Sequence, residues 1–299
     1  MKHLKIGHYT QAEQGTGLSV FLFDQPVCGA YTLCGSAPAA HELTVLDLDA
    51  MVSGVNGLLL AGGSAFGLSA VDGVLRWLKE RNRGFATSHG VVPIVPAVAL
   101  YDLAFNESVA PMAEHAYQAC QQATENNVLQ GRIGAGTGAT VGKFVANTRR
   151  MSGGLGRAEL RLANGVTVLA YAAVNSVGDV TDASGNIIAG ACLPNGDFAN
   201  CTQMLLSGCD DALQANTNTT LVAVFTNANF SKVELKRISK MALAGMPRAI
   251  SPVFTQYDGD IVFCFSVGAA TASEKIVGAM AAEAVRQAIV NAVQDSKIL

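Results

Sequence analysis

The chain has 299 residues, 50% of them hydrophobic and only 14% charged, where about 25% is usual, and a net charge of −3 with no basic run leaves no electrostatic footprint for nucleic acid. No apolar stretch reaches the ~18 to 20 residues of a membrane span, because Glu274, Lys275, Glu283 and Arg286 break the Ala-rich C-terminal segment. The N-terminus lacks the apolar run and cleavage site of a signal peptide, which predicts a cytoplasmic protein, and the charge-poor surface predicts a homo-oligomer that buries area between subunits.

In chain order, Leu18 to Phe23 and Gly57 to Leu60 read as strands, the second running into Gly62-Gly63-Ser64. From Gly67 to Arg81 the apolar residues Leu68, Val71, Val74, Leu75 and Leu78 recur at three and four, the mark of an amphipathic helix packed on a sheet. Val91 to Leu100 is a Pro-interrupted strand and loop, and Glu107 to Glu125 a helix. Asn164-Gly165 joins two apolar runs, 158–163 and 166–174, as a hairpin turn, and a second turn falls at Ala183 to Asn186. Residues Leu193 to Asn218 read as an exposed linker with a short helix near Phe198 to Leu206. Strand Leu221 to Phe225, helix Ser231 to Ala244 opened by a Ser231/Glu234 capping box, strand Ile261 to Val267 and helix Thr271 to Val293 follow. The elements form a layered α+β domain with helices outside a sheet core, one domain over 1–299.

Seven cysteines with no C-x-x-C pair and five scattered histidines indicate neither a disulfide framework nor a metal site, and no cofactor is expected. Gly134-Ala-Gly136-Thr-Gly138-Ala-Thr-Val-Gly142-Lys143 invites a nucleotide reading. It fails as a P-loop, because Thr137 stands where the first Gly belongs and Phe144 where a Ser or Thr should hold magnesium. No strand precedes it and no periodic helix follows, which weakens the dinucleotide reading. Two readings stay open: a flexible loop carrying Lys143 and backbone amides toward a polarised group, and a tight loop between packed layers.

The polar run Asn216-Thr-Asn-Thr-Thr220 enters the strand Leu221 to Phe225. A Thr hydroxyl is a weak nucleophile unless a base lies beside it, and the α-amine of the same residue can serve once the chain is cut before Thr219. That amine titrates at ~7.7 to 8.0, so part of it is neutral near pH 7. By itself the run reads first as an ordinary turn before a strand.

Five motifs occur in a known family's order: Gly57 to Asp72 (G-L-L-L-A-G-G-S-A-F-G-L-S-A-V-D), Gly90 to Leu103, V-N-S-V-G-D from Val174, N-T-T-L-V-A-V from Asn218 and Y-D-G-D-I-V-F from Tyr257. With them the chain resembles, over nearly its whole length, the L-aminopeptidase/D-amidase and β-aminopeptidase family of self-cleaving N-terminal-nucleophile hydrolases, and within it the nylon-oligomer hydrolase branch. The resemblance implies an α-β-β-α sandwich and autocatalytic cleavage between Asn218 and Thr219 into a large piece, 1–218, and a small piece, 219–299. It makes Thr219 the nucleophile, where many members have Ser. It further implies Asp258 and Asp260 as catalytic carboxylates, Asn175 as an oxyanion donor, Lys143 as the charge that tunes or holds them, and Tyr101 against the intermediate. The implied activity is hydrolysis of amide bonds in small peptides or amino-acid amides through an acyl-enzyme, in a homo-oligomer such as a tetramer of processed heterodimers. Two other classes stay open: a Thr-nucleophile N-acyltransferase of related fold, in which an amine replaces water, and an uncleaved, non-catalytic binding protein.

Overall fold

Residues 1–104, 108–143, 147–209 and 218–299 are described by the structure, a computed structural model. The first half supplies strands β1 (Leu4–Gln11), β2 (Thr16–Val27), β3 (Gly29–Leu33), β4 (Ala39–His41) and β5 (Val55–Ala61), helix α1 (Val71–Lys79), strand β6 (Ala97–Ala99) and helix α2 (Ala113–Gln121). The second half supplies β7 (Gly154–Arg161), β8 (Thr167–Asn175), β9 (Thr219–Ala228), helix α3 (Lys232–Leu243), β10 (Ile261–Ala270) and helix α4 (Glu274–Ala292). They build two five-stranded sheets, ordered β1-β2-β5-β6-β4 and β7-β8-β9-β10-β3.

The run Leu221-Val-Ala-Val-Phe225 shows how the layers form. Successive strand residues point to opposite faces, and here both faces are apolar. Leu221, Ala223 and Phe225 face the other sheet, where Phe21, Phe23, Leu58 and Leu60 meet Tyr171, Phe263 and Phe265. Phe21 packs on Phe225 with ring centroids 5.1 Å apart and Phe23 on Phe265 at 5.2 Å. Val222 and Val224 face outward onto α3 and α4 through Leu235, Ile238, Ala281, Ala284 and Ala288. On the opposite side Val20, Leu22 and Leu59 receive Val74 and Leu78 of α1 and Ala116 and Ala119 of α2. The order is helices, sheet, sheet, helices, the α-β-β-α arrangement expected.

β8 and β9 pair antiparallel, and β9 and β10 pair parallel across the α3 crossover, so the starts of β9 and β10 lie beside the end of β8. That end of the second sheet carries the polar residues singled out by the sequence. Among the described residues no helix is long and apolar enough to cross a membrane.

Several expectations change in detail. The helix expected over 107–125 is the shorter α2, and residues 105–107 lie outside the described residues. Residues 210–217 of the expected linker also lie outside them, while Asn218 at its end is buried, held by the sheet rather than exposed. The glycine-rich segment is a tight buried turn between layers. A Cβ on Gly138 would come 1.7 Å from the Gly15 carbonyl oxygen, so the glycine there serves close packing, and Lys143 alone of this segment carries its charge to the cluster of polar residues.

Candidate active site

Thr219 is the first residue of β9, and its cross-strand partner is Asn175, the last residue of β8. Asn218, just before it, forms a parallel bridge with Asp258, which precedes β10. Register alone therefore brings together three motifs far apart in sequence. Thr219, Asn218, Asn175, Asp258 and Asp260 are all at least nine-tenths buried. Buried polar groups need partners, and here the partners define the geometry.

Thr219 Oγ1 donates to the carbonyl oxygen of Asn218, the residue it follows. The same carbonyl oxygen accepts the Gly259 N–H at 2.9 Å. Asp260 Oδ1 accepts the Thr220 N–H at 2.6 Å, and its Oδ2 accepts the Phe254 N–H at 3.4 Å. Asp258 Oδ2 takes both the N–H and the hydroxyl of Thr255, at 2.8 and 2.7 Å. The two carboxylates thus frame Thr219 from the turn before β10 without bonding its hydroxyl in the continuous chain.

The segment after β3 clamps this turn. Cys34 N–H and Gly35 N–H donate to the Asp260 carbonyl at 2.9 and 3.1 Å, and Ala37 N–H donates to the Asp258 carbonyl at 3.0 Å. The approach is so close that a Cβ on Gly35 would fall 2.2 Å from the Asp258 carbonyl oxygen.

On the other side of Thr219, Lys143 Nζ donates to Asn175 Oδ1 at 2.8 Å and to its backbone carbonyl at 3.0 Å. Asn175 Oδ1 also accepts the Thr140 N–H at 3.0 Å, so the amide nitrogen is turned the other way and donates to the Tyr101 carbonyl at 3.0 Å. With the Thr140 hydroxyl at 3.4 Å as a third donor to the same oxygen, the amide's orientation is fixed. Tyr101 meets the site through its carbonyl as well as by lining the adjoining crevice.

Loss of hydration dominates the electrostatics. Burial, with the neighbouring charge of Asp258 second, pushes the Asp260 carboxyl up to about 7. Asp258 is raised as well, chiefly by burial. Burial, with repulsion from Arg150 second, brings Lys143 down to about 7, against the attraction of Asp258, Asp260 and Asp102. Acid and base each shift toward their neutral forms, so the cost of burying charge outweighs their mutual attraction. Groups that change protonation near neutral pH beside a hydroxyl are what proton-transfer chemistry needs.

All seven residues expected from the sequence fall in this region. Three participants were not foreseen. Asp102 is buried beside Tyr101, accepts Thr16 Oγ1 at 2.8 Å and Gly63 N–H at 2.6 Å, and is pushed up to about 6 by burial. Its signal was a single acid closing the apolar run Val95 to Leu100. Thr140 and Thr255 act through backbone and hydroxyl contacts that no local pattern marks.

With two sheets between helix layers and this polar cluster at a strand start, the chain shares its fold with amide-cleaving enzymes of known structure. A β-aminopeptidase of Burkholderia sp. superposes with a TM-score of 0.72 at 20% identity, over 98% of this chain and 84% of that one. The L-aminopeptidase D-Ala-esterase/amidase of Ochrobactrum anthropi, described as a variant of the Ntn hydrolase fold, gives 0.73 at 17% identity with the same coverage. The chain belongs to Peptidase family S58, whose family model matches residues 1–298, and is a hydrolase acting on peptide or amide bonds. An uncharacterized aminopeptidase of Mycobacterium leprae (strain TN) is 36% identical over 94% of this chain and 81% of its own length. A 6-aminohexanoate-oligomer endohydrolase of Kocuria sp. (strain KY2) is 32% identical over 69% of this chain and 59% of its own length.

Proposed function

We propose that the chain is a single self-processing hydrolase domain that cuts itself between Asn218 and Thr219 and then uses the freed Thr219 to cleave amide bonds of small peptides or amino-acid amides. The observation that carries this reading is the contact of Thr219 Oγ1 with the Asn218 carbonyl while the Gly259 N–H holds that carbonyl's oxygen.

In the first stage Oγ1 attacks the Asn218 carbonyl carbon and negative charge develops on its oxygen, where the Gly259 N–H is already aimed. Collapse breaks the C–N bond and leaves the Asn218 acyl group on Oγ1, while the proton lost by the hydroxyl passes to the Thr219 nitrogen, which becomes an amine. Water then hydrolyses the ester, giving an Asn218 carboxylate and a free Thr219. In the second stage the amine takes the hydroxyl proton as Oγ1 attacks a substrate amide, gives it to the leaving nitrogen as the substrate C–N bond breaks, and water then hydrolyses the ester to release the acid. Asp260 and Asp258 stabilise the ammonium that forms. Lys143 and Thr140 hold the Asn175 amide beside Thr219, where it serves as an oxyanion donor.

The test is an aged and a freshly made sample of wild type and Thr219→Ala on a denaturing gel, with release of free acid from a simple amide followed in parallel. Wild type should split into pieces 1–218 and 219–299 and turn over, and Thr219→Ala should do neither. An intact, active wild type would overturn the reading, and turnover that requires an added amine acceptor would make the chain an acyltransferase.

A further inference from the structure

We infer that Arg150, together with Lys143, binds a carboxylate group of the substrate close to the scissile amide; this rests on the hydrolase reading above. A crevice opens beside Asn175, lined among others by Tyr101, Asp102, Thr140, Lys143 and Arg150, with about 10 Å³ of free space, room for one oxygen of a carboxylate but not for the whole group. Tyr101, Thr140 and Lys143 each bond Asn175, the cross-strand partner of Thr219, so whatever enters the crevice lies next to the reacting bond.

The cations and acids around this space differ in how fully they are engaged. Asp102 has its two oxygens on Thr16 and Gly63, Asp258 is turned to Thr255, and Asp260 is turned to Thr220 and Phe254. Each acid is directed into the protein. Arg150 is half-buried and spends one donor, from Nη2 to the Ala104 carbonyl at 3.2 Å, of the five that a guanidinium carries. Among the described residues no carboxylate lies within 4.0 Å of it. Lys143 gives two bonds to Asn175 and keeps a third ammonium hydrogen. The two cations also repel each other, since Arg150 is among the causes that lower the basicity of Lys143. An anion seated between them removes that repulsion, and a carboxylate matches the flat fork of the guanidinium.

Two kinds of substrate present such a group: a short peptide whose C-terminal carboxylate lies one residue beyond the scissile bond, and one with an acidic side chain beside it. Binding is measured first, because it does not require turnover. Calorimetry on full-length Thr219→Ala protein should show N-acetylglycine binding about 10-fold or more tighter than N-acetylglycinamide, the effect of one charge-assisted pair. Adding Arg150→Ala should abolish the difference and Arg150→Lys should keep part of it, which separates loss of the fork from loss of the fold. Equal affinities, no binding of either compound, or a preference that survives Arg150→Ala would overturn the inference. Turnover by wild type then identifies the source. A dipeptide acid preferred over its carboxamide points to the C-terminal carboxylate, and an aspartyl anilide preferred over the asparaginyl one points to the side chain. Carboxylate binding with no cleavage of any of the four would instead sink the hydrolase reading and leave the anion site standing.

Discussion

The proposed role of Thr219 rests on its neighbours on both sides in sequence: the Asn218 carbonyl against its hydroxyl and Asp260 on the amide of Thr220. Thr219→Ser, which keeps hydroxyl and amine, should still mature and turn over, whereas Thr219→Ala should lose at least about 10³-fold in kcat/KM because nucleophile and base are both spoiled. A second prediction concerns acid. Asp260 must be ionised to stabilise an ammonium on Thr219, and burial and Asp258 raise it, to about 7 in the uncut chain, so kcat/KM should fall toward acid pH as Asp260 takes up a proton. Asp258 is one of the causes that raise it, so Asp258→Asn should move this limb to lower pH, whatever it does to the plateau. A limb that stays put or moves upward in a full pH profile would contradict the assignment.

At the scale of elements, the clamp after β3 and the caps of the helices carry separate predictions. Gly35→Ala places a methyl 2.2 Å from the Asp258 carbonyl oxygen, so the Asp258-Gly259-Asp260 turn must shift and the disappearance of the uncut band should slow. Ser231 caps α3 through the Glu234 N–H while the Glu234 carboxylate accepts the Ser231 N–H at 2.8 Å. Ser231→Ala should therefore cost about 1 kcal/mol in denaturant unfolding, with processing unaffected. That box was legible in the sequence, as was β9, because local patterns encode both: a Ser/Glu spacing in one, a run apolar on both faces in the other. β1 and β3 were missed. They are the outer strands of their sheets, and L-K-I-G-H-Y-T-Q and G-A-Y-T-L mix polar and apolar residues as edge strands do. The site was legible only through its motifs. Lys143 meeting Asn175, or Asn218 pairing with Asp258, is a matter of long-range register, and nothing around Asp258-Gly-Asp260 alone distinguishes it from a turn.

For the whole molecule, the position of the proposed cut has a mechanical consequence. Residues 219–299 contribute β9 and β10, which lie between β8 and β3, both donated by the first 218 residues. The small piece is the middle of a sheet, and it shares the core between the sheets through Leu221, Phe225, Phe263 and Phe265. After cleavage the two pieces should therefore co-elute from a sizing column as one particle and separate only in denaturant. The low share of charged residues predicts further that this particle holds more than one copy of the chain, which light scattering measures. The register that keeps the pieces together also holds Thr219 against Asn175 and the Asp258-Asp260 turn, so cleavage can free an amine without dispersing the site. The most direct measurement is N-terminal sequencing of active protein. A chain beginning Thr219-Thr220-Leu221-Val222 is the predicted result, and full activity from protein that yields no such terminus would contradict the account.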